Sequence, residues 1–208
     1  MEDVLDLYEQ PYDARQPVVC FDEKSLQLLA ETRLPRLAAP GRPARFDYEY
    51  ERRGTANLFV AIEPLAGWRR VTATERRTKV DFARQMQQLV DHYPDADRVR
   101  VVMDNLNTHK AASLYEAFPP AEARRILRRL EFHYTPKHGS WLNMAEIEIS
   151  VISRQCLRRR IGELEQLRAE IASWQERRNR EGITTKWRFT VSDARQTLPK
   201  LYPEASVW

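Results

Sequence analysis

Val99-Arg-Val-Val-Met-Asp104 is a short apolar run closed by an acid, and Pro17-Val-Val-Cys-Phe-Asp22 has the same form earlier in the chain. Four to six residues of this kind without polar alternation predict a strand buried on both faces. A carboxylate closing such a strand stands at the carboxyl edge of the sheet, where open α/β sheets place their ligands. A third acid, Glu146, falls early in the helical stretch Trp141-Leu-Asn-Met-Ala-Glu-Ile-Glu-Ile-Ser-Val-Ile152. Two strand ends and one helix can bring three carboxylates to one point. The usual tenant of such a cluster is a hard divalent cation held by carboxylates and substrate phosphates. The chemistry this implies is phosphoryl transfer on nucleic acid.

The elements around these runs set the fold class. Residues 1–9 read as a short amphipathic helix, and the Arg- and Pro-rich segment 33–45 as a loop. Phe46–Tyr50 alternates as a strand, Arg53-Gly54 reads as a turn, and Leu58–Ile62 and Trp68–Thr74 follow as strands around an Ala66-Gly67 turn. Thr78 with Asp81 three positions later is an N-cap signature for a helix carrying Phe82, Met86, Leu89 and Val90 on one face. After the strand at 99–104 come helices near 110–117 and 121–129, separated by Pro119-Pro120. A strand over 130–134 and helices over 142–160, 163–180 and 192–199 complete the chain. A meander beside parallel β-α units predicts an α/β mixed sheet of five strands with helices on both faces. This is the order of elements in ribonuclease H-like domains. The expected organisation is an N-terminal helix and linker over 1–16, a catalytic domain over 17–160, and a helical extension over 161–208 packed on it.

Bulk properties narrow the function classes. The chain has 208 residues, 31% charged and 42% hydrophobic, with a net charge of +4, a soluble globular composition. Arginine dominates the positive side, and its planar fork suits phosphate. Cys20 and Cys156 lack the spacing of a zinc site or disulfide framework. No stretch reaches the length of a membrane span, and the acidic N-terminus has no signal-peptide pattern, so the expectation is a cytoplasmic protein.

An Asp at a strand end also serves as turn former or helix cap, and Asn105, Asn107 and Thr108 could cap the next helix. Glu146 has a rival in Glu148, because the two flank the apolar face of their helix on opposite edges. Periodicity leaves that choice open. Lys137, His138, Ser140 and Trp141 form a polar, aromatic loop suited to gripping a phosphate or stacking a base. The arginine runs 124–129 and 154–160 fit either solvated helix faces or a phosphate track.

Taken together, Cys20-Phe-Asp-Glu-Lys-Ser25, Asp104-Asn-Leu-Asn-Thr-His109 and His138-Gly-Ser-Trp-Leu-Asn-Met-Ala-Glu146 resemble the three acidic blocks of DDE transposases. The closest resemblance is to the bacterial branch of the mariner superfamily known as insertion sequence 630. Its Leu-Asn-x-x-Glu block falls on Leu142, Asn143 and Glu146, which favours Glu146 over Glu148. The resemblance implies that Asp22, Asp104 and Glu146 bind two Mg²⁺ ions, with Mn²⁺ as a substitute. It also implies that donor DNA ends are cut and joined to a target duplex by in-line displacement. Asn105, His109, Lys137, His138, Ser140, Trp141 and Asn143 are the expected DNA contacts, and a homo-oligomer on transposon ends is the expected assembly. Family members carry N-terminal helix-turn-helix modules, whereas this chain begins almost at its first catalytic strand. The expectation is a separate DNA-reading protein or an upstream region. Two other functions fit the same residues: a ribonuclease H-like nuclease without strand transfer, and a non-catalytic DNA-binding or assembly remnant.

Overall fold

The computed structural model describes residues 1–33, 36, 38–44 and 47–202. Leu34, Pro35, Leu37, Arg45 and Phe46 lie outside them, and with them part of the loop expected over 33–45 and the strand start expected at Phe46. Five strands form one sheet: β1 (Val18–Glu31), β2 (Tyr50–Glu63), β3 (Trp68–Thr74), β4 (Val99–Met103) and β5 (Leu130–Tyr134), in the order β3-β2-β1-β4-β5. The first three pair antiparallel, while β1–β4 and β4–β5 are parallel. All five residues of β4 are buried, as the absence of alternation requires.

Helices cover both faces, as expected. One face packs Cys20, Leu58, Val60 and Val102 against α1 (Glu2–Glu9), α5 (Ala145–Gln155), α6 (Leu164–Arg180) and α7 (Val191–Thr197). The other packs Val19, Phe21, Phe59, Val101 and Met103 against α2 (Lys79–His92), α3 (Ala112–Ala117) and α4 (Pro120–Leu127). Thr78 caps α2 through the reciprocal bonds with Asp81 that the sequence implies.

Three boundaries differ from expectation, each for a physical reason. β1 does not end at Asp22 but continues to Glu31, because β2 accompanies it throughout. Only Val18–Cys20 also has β4 alongside, so the apolar run marks the doubly flanked part of a longer strand. Arg53-Gly54 is not a turn: β2 passes straight through it, and two residues there oppose the single Leu28 as a β-bulge. Gly54 takes a positive φ of 109° in that bulge, a conformation glycine adopts without a Cβ penalty. Finally, the helix expected over 142–160 is shorter. Ser140–Leu142 forms a 3-10 turn and α5 ends at Gln155. Beyond α5 the chain turns back so that the Ile161 carbonyl can accept the Leu29 N–H at 3.0 Å on the edge of β1. Gly162 allows that approach, since a Cβ there would meet the Ala30 Cβ at 3.0 Å.

Candidate active site

Side-chain alternation on β1 divides two adjacent acids between the faces of the sheet. Cys20 belongs to the face covered by α5, and Phe21 to the face covered by α2 and α3. Asp22 therefore falls on the α5 side and Glu23 on the α2/α3 side. The same alternation on β4 puts Val102 on the α5 side and Met103 on the other, so Asp104 follows Met103 just beyond the strand and on the side of Asp22.

The start of α5 is fixed against β1 beside Asp22. Asn143 Nδ2 donates to the Phe21 carbonyl at 2.8 Å, and Asn143 Oδ1 accepts from the Ala145 N–H at 3.1 Å. Tyr8 adds a bond from its hydroxyl to the Leu142 carbonyl at 2.8 Å. With the helix held there, Glu146 sits in its first turn, exposed.

The Asp22 carboxyl feels the charges of the other two acids. Burial pushes the Asp22 carboxyl up to about 6, the Glu23 N–H opposes this, and the charges of Asp104 and Glu146 press in the same direction as burial. Asp104 is held below its ordinary value, chiefly by a hydrogen bond from His109. His109 Nδ1 lies 2.7 Å from Asp104 Oδ1, and its Nε2 lies 2.9 Å from Glu23 Oε1. Arg77 stands 3.6 Å from the other Glu23 oxygen. Burial disfavours a charged His109, but the two carboxylates outweigh it and raise its pKa to about 9.

Among the described residues no three His, Cys, Asp or Glu side chains are drawn close enough to clasp a metal ion as they stand. The donor chemistry nevertheless fits a hard divalent cation. All the groups are carboxylate oxygens, and Asp22 is a half-buried acid under like charge. Positive charge at that point would relieve the repulsion.

Two residues expected to touch DNA do not reach the surface. His109 is 1% exposed and spans Asp104 and Glu23; Asn143 is equally buried and tethers α5. Their hydrogen bonds go to Asp104 and Glu23 and to the β1 and α5 backbone instead. Asn105, Lys137, His138, Ser140 and Trp141 are exposed. His138 adopts a positive φ of 63° in the tight turn closed by the Gly139 N–H and the Pro136 carbonyl. Trp141, 41% exposed, stacks on Trp187 with ring centroids 6.2 Å apart and meets the edge of Phe189 at 5.7 Å.

Glu148 points away from the other acids. It is 2% exposed and accepts a two-pronged contact from Arg178, with Nε at 2.9 Å and Nη2 at 3.2 Å. Arg69 Nε lies 2.9 Å from the same carboxylate. Sequence reading passed over Glu23 and Arg77. The signal was present in the tandem Asp22-Glu23, which a strand continuing past residue 22 must split between opposite faces.

The sequence pattern of the DDE superfamily endonucleases matches residues 17–168, well over half of the chain. No curated protein matches. Among solved structures, the Mos1 transposase paired-end complex with left transposon end is similar, with a TM-score of 0.53 and 16% identity over 81% of this chain and 52% of that chain. The Mos1 mariner paired end complex with Mn gives 0.54 and 17% over 86% and 55%. A pre-cleavage Mos1 transpososome gives 0.57 and 16% over 86% and 55%. At these identities the likeness is one of fold, the ribonuclease H-like sheet and its helices. The chain spans about half the length of these proteins. By the match over residues 17–168, it belongs to the DDE superfamily endonucleases.

Proposed function

We propose that this chain is the catalytic domain of a DNA transposase of the mariner superfamily, in the bacterial branch of insertion sequence 630. It would cleave DNA strands and transfer them by in-line displacement at phosphorus. The observation that carries this reading is the half-buried Asp22 carboxyl, raised by its partial burial and by the charges of Asp104 and Glu146 within a chain of the DDE family. The branch rests on Leu142-Asn143-x-x-Glu146 and the two Asp blocks.

Asp22, Asp104 and Glu146 would hold two divalent ions, Mg²⁺ with Mn²⁺ as substitute. Bound there, the ions would supply Lewis-acid stabilisation of the attacking and leaving oxygens. The protein's own part is to hold the acids in place. His109 orients Asp104, Asn143 fixes the turn that presents Glu146, and the β1 backbone carries Asp22. The exposed Lys137, His138, Ser140 and Trp141 would take the DNA next to Glu146, with Asn105 beside Asp104. Transposon ends and a target duplex are the proposed partners, read by a helix-turn-helix region or protein, with a second copy of the chain on DNA. We assign catalysis to residues 17–160, flanked by 1–16 and 161–208 as supporting segments.

The test is twofold. Wild type should nick supercoiled plasmid in Mn²⁺ while Asp104→Asn does not. With cognate ends and their reading module supplied, it should join a labelled donor 3′ end to a second duplex. Nicking without joining would favour a nuclease, and neither activity together with no response to Mn²⁺ would favour a non-catalytic remnant.

A further inference from the structure

From Phe21 onward β1 has a strand neighbour on one side only. β4 pairs with Val18–Cys20, whereas β2 follows β1 to Glu31. The other edge is closed again at Leu29, whose N–H reaches the Ile161 carbonyl. Between these points runs a furrow of about 380 Å³, lined by Lys24, Leu26, Gln27, Leu157 and Arg158. Past Arg158–Arg160 it opens into a groove of about 780 Å³ that reaches Trp174 and Arg177.

The furrow offers positive charge and almost no free negative charge. The acids bordering the wider groove, Glu31 and Glu170, are engaged by Arg160 and Arg159. Lys24, Arg158 and Arg177 have no carboxylate partner among the described residues. The backbone adds to them. The Glu23 N–H turns to its neighbour's Asp22 Oδ1 and the Leu29 N–H to Ile161. With a period of two, the N–H and C=O groups of Ser25 and Gln27 face the same open edge. The edge supplies N–H donors between its carbonyls, and the cations beside it, Lys24, Arg158 and Arg177, supply the attraction for an anionic chain.

Position links the furrow to the proposed site. Lys24 follows Asp22 by two residues on the same face of β1, and α5 carries Glu146 at one end and leads to Arg158 at the other. At about 3.3 Å per residue, β1 spans roughly 23 Å from Asp22 to Leu29. A DNA strand covers that length in about seven nucleotides at 3.4 Å each.

We propose that this furrow binds the sugar-phosphate backbone of a DNA strand leading away from Asp22 and Glu146. The proposal rests on the function proposed above. Backbone contacts of this kind fix register without reading sequence.

The experiment measures anisotropy of a fluorescein-labelled duplex of random sequence across a salt series. It compares wild type with Lys24→Ala/Arg158→Ala/Arg177→Ala. A control, Arg84→Ala/Arg124→Ala/Arg128→Ala, removes equal charge from α2, α4 and the residue capping α4 on the opposite face; thermal melting confirms folding. The furrow variant should lose affinity and flatten the slope of log K against log salt by about 0.9 per contact removed, roughly 2 to 3 in all. The control should keep both within error. Equal losses in the two variants, or a loss confined to the control, would overturn the furrow. The proposed function is judged separately by whether Mn²⁺ stabilises wild type and not Asp104→Asn. Metal response with an unaffected furrow variant would sink only the furrow, while no DNA binding by wild type would sink both.

Discussion

His109 stands between Glu23 and Asp104, with Nε2 2.9 Å from one carboxylate and Nδ1 2.7 Å from the other. The imidazole and the Glu23 carboxylate are almost wholly buried, whereas the Asp104 side chain is 43% exposed. One side of Asp104 is thus held by a buried network while the other remains open. Among the described residues, removing His109 leaves Glu23 with only the more distant Arg77 as a cationic partner. Breaking a buried pair by deleting one partner costs about 3 kcal/mol or more, so His109→Ala should lower unfolding free energy by roughly that amount. Urea denaturation in EDTA measures it, and a change below about 1 kcal/mol would show that the network contributes little.

The same network makes stability depend on pH. His109 has its pKa raised to about 9: burial opposes protonation, but the bonds and charges of Asp104 and Glu23 overcome it. A raised pKa means that the folded state holds the proton more tightly. The stabilisation is complete below the ordinary histidine value near 6.5 and is lost as pH rises through about 9. In EDTA, the melting-temperature gap between wild type and His109→Gln should therefore shrink from pH 6.5 to 9.5. A gap that stays constant or widens would contradict the charge assignment.

Metal should stabilise the fold. Asp22 is half-buried and pressed by the charges of Asp104 and Glu146. A ligand that binds only the native state contributes about 1.4 kcal/mol at ten times its Kd. Millimolar Mn²⁺ should raise the melting temperature of wild type, and Asp104→Asn should abolish most of the rise. An unchanged wild-type melt would argue that Asp22, Asp104 and Glu146 are not a metal site.

Much of the sheet was legible because burial on both faces writes itself into sequence. β4 and the first residues of β1 are apolar without alternation, and Asp22 and Asp104 mark where that burial ends. The rest of β1 has a neighbour on one side and an open edge on the other. It therefore carries Asp22, Glu23, Lys24 and Ser25 and looks like a loop. Gly54 misled for a related reason, since glycine serves a bulge as readily as a turn. His109 and Asn143 are polar residues beside candidate catalytic acids, and their chemistry alone does not tell a ligand contact from an internal brace. Only the fold shows that Asn143 must hold α5 to Phe21 and that His109 must fill the gap between two carboxylates.

Glu146 and Glu148 were equivalent by helical periodicity, and the structure gives them opposite surroundings. Two positions on a helix turn the side chain by about 200°. Glu146 is exposed on the side of Asp22, whose carboxyl feels its charge. Glu148 is buried between Arg178 and Arg69. It is not the surface residue that tolerance to substitution would require. Glu148→Gln leaves two buried guanidinium groups without the carboxylate between them, and breaking a buried pair in this way costs about 3 to 5 kcal/mol. Glu146→Gln should change stability by no more than about 0.5 kcal/mol, as surface substitutions usually do. The metal response should divide the other way: Mn²⁺ should still raise the melting temperature of Glu148→Gln from its lower starting point, while Glu146→Gln should respond little. Melting curves of both variants with and without Mn²⁺ decide the matter. A Glu146 variant with a full Mn²⁺ shift beside a Glu148 variant with none would reverse the roles assigned to the two glutamates.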